Sequence, residues 1–137
     1  MEQNKLKFED YCLTIEQAKE LQALGINMDN CLMEFCSLKD LGDYHLLPKH
    51  KYENNFIRWK YIPTLTNTEM LEMLPLGVRN NDKLFIFKSP KTKKDNIGVW
   101  VVQYINIEGQ LYMSYANKLL RDSLFGIIKE LKENKLI

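Results

Sequence analysis

Cys31, Cys36, His45 and His50 carry the side chains of a metal site, spaced as C-x4-C-x8-H-x4-H. Zinc takes thiolate and imidazole ligands in tetrahedral sets, so the pattern echoes a zinc finger. Three features argue against it. A finger places about twelve residues between its second cysteine and its first histidine, and only eight stand here. Pro48 lies between the histidines, so they cannot share one face of a regular helix. Cys31 and Cys36 are an odd number of residues apart, which on a regular strand turns them to opposite faces. The expectation is two buried thiols and two loop imidazoles, with no metal and no cofactor. Cys12, Cys31 or Cys36 could also serve as a nucleophile beside a histidine. An activated thiol needs a device that holds the thiolate, such as a helix N-terminus, and none follows immediately after these cysteines in the sequence.

Carboxylates pair at Glu16/Glu20, Glu69/Glu72 and Glu130/Glu133. An acid/base dyad needs burial to drive its two pKa values apart. These pairs lie on solvated helix faces at turn spacing, where they complement helix ends or neighbouring lysines. No glycine-rich phosphate loop, nucleophile elbow or metalloprotease helix motif occurs in the chain.

Lys88, Lys91, Lys93 and Lys94 cluster around a polar loop at 89–96. Read as a nucleic-acid site, they would face phosphate, with Phe85, Phe87 and Trp100 as stacking surfaces. Read as structure, they are the charges that keep a sheet edge soluble, and aromatics alternating along strands belong to a packed core. The second reading is preferred. Tyr44, Tyr52, Trp59 and Tyr61 crowd the least regular stretch of the chain. Exposed together, they would form a protein-binding patch.

The elements that must position these groups follow from caps, spacing and turn residues. Thr14 with Gln17, three residues on, is a capping box. Ile15, Ala18, Leu21 and Leu24 then give one buried face, and Gly25 suits a left-handed end, so a helix is predicted over 14–24. Residues 31–38, 44–47 and 56–61 read as strands, with Ile57, Trp59 and Tyr61 as the core face of the third and Pro63 ending it. Thr66 with Glu69 repeats the capping box and opens a short helix over 67–74, stopped by Pro75. Leu84–Phe87, Val99–Ile105 and Leu111–Tyr115 are further strands. The second is apolar enough to be central with both faces covered, and Gly109 suits the hairpin after it. Asn117 is placed to cap a last helix over 118–133, with Leu120, Leu124, Ile127, Ile128 and Leu131 as its stripe. Gly126 inside that stripe costs about 1 kcal/mol of helix propensity and marks a close approach of backbone to sheet. The first ten or so residues are polar and expected to fray.

Strands in runs joined by short turns imply an α+β fold. The expected layout is a mostly antiparallel sheet of five to six strands, packed against the helices near 14–24 and 118–133 with the short helix beside them. The whole chain, 1–137, reads as one domain. Its 19 basic and 18 acidic residues leave a net charge of +1, so no global field draws it to nucleic acid. Arg58, Arg79 and Arg121 are its only arginines, few for a phosphate or carboxylate fork. No apolar stretch approaches the ~20 residues of a membrane helix. The absence of a secretory leader and the odd cysteine count predict reduced thiols in a cytoplasm.

Four stretches taken together resemble a known group. They are Leu13-Thr14-Ile15-Glu16-Gln17 with Leu24-Gly25-Ile26, Pro63-Thr64-Leu65-Thr66 leading into Met70–Pro75, Trp100–Tyr104, and the final amphipathic helix. Their order is similar to small uncharacterised proteins of Bacteroides and related gut bacteria, often from phage or prophage regions. The group has no assigned activity, so the resemblance implies no catalytic residue. The function expected is that of a non-enzymatic accessory protein that binds another protein. The alternatives are a nucleic-acid-binding module using the 88–94 loop and an enzyme whose site is assembled across the fold.

Overall fold

The computed structural model of the protein describes residues 7–38, 42–49, 59–79, 82–90 and 98–137, without the side chains of Leu38 and Trp59. A 3-10 turn, Phe8–Tyr11, leads into helix α1, Ile15–Ala23. Strands β1 (Met33–Leu38), β2 (His45–Pro48) and β3 (Trp59–Thr64) follow, then helix α2, Asn67–Met73. Strands β4 (Lys83–Ser89), β5 (Val99–Ile105) and β6 (Leu111–Asn117) precede helix α3, Leu120–Glu133. The chain is α+β.

Both expected capping boxes form. Thr14 Oγ1 accepts from the Gln17 amide, and the Gln17 side chain accepts from the Thr14 amide. Thr66 and Glu69 make the same exchange at α2. Gly25 takes a left-handed φ of 96° after α1, where a side chain would be strained. The residues expected to fray include an ordered turn. Lys7 and Asp10 close it, and Arg121 Nη1 donates to the carbonyls of Glu9 and Cys12.

The single sheet of five to six strands is corrected to two antiparallel sheets of three, ordered β2-β1-β3 and β4-β5-β6. The physical reason lies at the edges of the smaller sheet. Lys49 N bonds Leu32 O, so alternate residues Lys49, Leu47 and His45 point their backbone groups at β1 and Pro48 points outward. On the other side, Leu13 N bonds Leu65 O from outside the sheet. By the same alternation Pro63 also points outward. Each edge therefore carries a residue with no N–H to offer a further strand. Pro63 accordingly lies within β3 rather than ending it.

Tyr61 is not a core residue. It pairs with Cys36, on the face opposite Phe35, and is 39% exposed. The Asn117 cap is also corrected. Asn117 belongs to β6 and donates to Ser123 Oγ, which in turn donates to Trp100 O, while Leu119 occupies the cap position. That pair of bonds satisfies a fully buried serine and ties the first turn of α3 to β5.

One core joins the elements. Leu124, Ile127, Ile128 and Leu131 of α3 are fully buried on Val102 and Tyr104 of β5 and Met113 of β6. Ala18 and Leu21 of α1 and Met70 of α2 complete the layer. Strand β5 is central, as its apolar run predicts, but the expected cover on both of its faces is corrected, since among the described residues α3 is the helix that packs on it. The close approach at Gly126 is with a ring. A Cβ there would stand 2.3 Å from Tyr115 Cδ1.

Candidate protein interface

Helix α3 covers only one face of β4-β5-β6. The pairing of Phe87 with Val101, of Val101 with Ala116 and of Phe85 with Gln103 sets these residues on the other face. Among the described residues no helix packs there. Phe85 is 45% and Phe87 42% exposed. Val101, between Phe87 and Ala116, is only 9% exposed. An open face of an antiparallel sheet normally carries polar residues. Here two aromatic rings stand two residues apart on one strand, beside a buried valine. Among the described residues of its three strands the face holds one charged side chain, Lys83, which pairs with Ile105 at its end.

These two phenylalanines are a correction to the packed-core reading. Leu84-Phe85-Ile86-Phe87 is apolar at every position, so its pattern does not say which parity faces in. The structure turns Leu84 and Ile86 to the core and leaves the rings outside. The unbroken apolar run was the one sequence hint, and it leaves the outward parity open.

The lysine site divides. Lys88 pairs with Trp100 on the α3 side of the sheet, its ammonium 5.8 Å from the indole centroid. Phe85 and Phe87 lie on the opposite side, so Lys88, Trp100 and the two phenylalanines do not form one stacking platform. Lys91, Lys93 and Lys94 lie outside the described residues.

The tyrosine patch divides as well. Tyr44 is half-buried and lines a cavity of about 250 Å³ with Ile15, Phe35 and Arg121. Tyr61 is on the other face of the small sheet. Tyr52 and the side chain of Trp59 lie outside the described residues.

The register places His45 directly opposite Cys36, whose other neighbour is Tyr61. Glu34 shares their face, and the Cys36 thiol approaches its carboxylate at 3.8 Å. The arrangement does not activate the sulfur. Burial, and then the Glu34 charge, push the Cys36 thiol up to about 11. Burial does the same to Cys12, also to about 11, and raises Cys31. All three thiols are buried and free. At neutral pH they are protonated and poor nucleophiles. Among the described residues no three His, Cys, Asp or Glu side chains converge as metal ligands. His50 is outside them.

Each carboxylate pair has at least one member with a structural partner. Glu69 caps α2 with one oxygen and accepts the Leu32 amide with the other. Glu20 pairs with Lys129 across α1 and α3. Glu130 accepts from the Tyr115 hydroxyl. A cavity of about 370 Å³ beside Glu69 and Glu72 also touches Cys31, and its carboxylate and thiol are the cap and the buried sulfur just described. No helix among the described residues is long and apolar enough to cross a membrane. No protein family, curated protein or solved structure matches the chain.

Proposed function

We propose that this chain is a non-enzymatic accessory protein that binds another protein through the open face of β4-β5-β6. The observation that carries the reading is the pair Phe85 and Phe87, half-exposed beside Val101 on a sheet face that no described helix covers. Exposed aromatic rings beside a buried valine, with Gln103 and Ser114 next to them on the same face, suit an apolar contact with a polar border, and aromatic rings are the residues that most often dominate binding. With Lys83 as its one charge among the described residues, the face suits a protein surface rather than phosphate. Thiols held protonated by burial support a binding role over thiol chemistry. The resemblance to small phage-associated proteins fits an accessory role.

The test is affinity capture from the organism that encodes the chain, comparing wild type with Phe85→Ser/Phe87→Ser. The reading expects a protein held by the wild type and lost from the variant, with both baits equally folded by circular dichroism. The same proteins on both baits, or none on either, would contradict it.

A further inference from the structure

We infer that β6 is the edge on which a second copy of this chain docks, the two β6 strands pairing antiparallel about a two-fold axis. The backbone register identifies the free groups. Asn106 N bonds Gln110 O at the hairpin, and an irregularity between Tyr104 and Ile105 shifts the ladder by one residue. Beyond it Met113, Tyr115 and Asn117 point their backbone groups at β5, while Ser114 and Ala116 point theirs away. Both of these residues are exposed. Among the described residues nothing bonds their outward N–H and C=O groups.

The four sheet edges are treated differently. Those of the small sheet carry Pro48 and Pro63 in outward positions. Strand β4 carries Lys83 and Lys88, and its outward Leu84 amide is taken by Leu76 O. Strand β6, Leu111-Tyr-Met-Ser-Tyr-Ala-Asn117, has seven residues, no proline and no charge. A long uncharged edge is a template for another strand. In antiparallel self-pairing each residue to one side of the axis faces a residue from the other side of it, so a strand with several like charges sets them near one another. Here there are none, and the interface is self-complementary, as two-fold symmetry requires.

Size favours a second copy as the occupant. Three seven-residue strands present roughly 24 by 14 Å of open face, about 350 Å² in projection. A standard interface takes ~800 Å² of accessible surface from each partner, which a wider face supplies more readily. Joining two β6 strands makes one six-stranded face of about 700 Å², with both Phe85/Phe87 pairs on the same side. This size argument rests on the binding function proposed above. The free edge does not.

The closing experiment uses the full purified chain alone, by sedimentation equilibrium over a concentration series. Wild type is expected as a dimer. Ser114→Pro removes an outward N–H in the manner of Pro48 and Pro63, and should weaken the dimer about tenfold or more. Ala116→Lys brings positive charge onto both copies of the strand and should weaken it in a salt-sensitive way. If Ser114→Pro does not fold, Ala116→Lys decides. A wild type that stays monomeric, or a dimer unchanged by the folded variants, would overturn the inference. Phe85→Ser/Phe87→Ser should leave the dimer intact, so loss of partner capture and loss of dimer report on separate claims.

Discussion

Tyr115 lays its ring on the bare backbone of Gly126, so close that a Cβ there would meet Cδ1 at 2.3 Å and Cε1 at 2.7 Å. The ring's hydroxyl continues to Glu130, one turn along the helix, at 3.2 Å. Helix propensity alone favours alanine over glycine by about 1 kcal/mol. Overpacking costs roughly 1–3 kcal/mol, so Gly126→Ala should lower stability by about 1 kcal/mol in denaturant unfolding. In a Tyr115→Ala background the sign should reverse, because the clash is gone and the propensity remains. A destabilising Gly126→Ala in both backgrounds would contradict the contact.

The cap of α2 reaches beyond its own helix. Glu69 answers the Thr66 amide with one oxygen at 3.0 Å and the Leu32 amide with the other at 3.1 Å. Thr66→Ala should cost about 1 kcal/mol, the ordinary value of a cap. Glu69→Ala should cost more, since it also leaves the Leu32 amide without its acceptor. Equilibrium unfolding of both variants measures the order, and equal costs would show that the bond to Leu32 contributes nothing.

Such caps were legible in the sequence because they are local: Thr14 with Gln17 and Thr66 with Glu69 specify a bond three residues away. Gly126 was legible for the same reason, as a gap in an apolar stripe. The division into two sheets was not. Pro63 read as a strand end, yet it and Pro48 are the outward residues that close two edges, and their direction depends on pairing with β1. Phe85 and Phe87 were hidden because a run apolar at every position has no readable face until α3 covers one side of the sheet. His45 opposite Cys36 is likewise a product of register, invisible in a spacing of nine.

Raised ionisation in the folded state sets the alkaline limit of stability. Burial pushes Cys12 and Cys36 up to about 11 from 9.0, and Tyr104, whose hydroxyl donates to Pro75 O, up to about 12 from 10.0. Above pH 9 the unfolded chain releases thiol protons that the folded chain keeps. Folding therefore loses free energy as pH rises. The thiol contribution is fully present below pH 9 and falls away towards 11, and that of Tyr104 falls between 10 and 12. Unfolding free energy should be flat just below pH 9 and decline above it, less steeply in Cys36→Ala. Thiol reagents at neutral pH should label the folded chain only as fast as it opens, and rapid labelling of all three cysteines would contradict the burial.

Contact with another protein through Phe85 and Phe87 is the proposal on which the binding function rests. Its most direct test is the affinity of the captured protein, measured by calorimetry against wild type and Phe85→Ser/Phe87→Ser at equal fold stability. The predicted result is a loss of about a hundredfold, the scale of two aromatic contacts at more than 1 kcal/mol each. An affinity unchanged by removing both rings would contradict it.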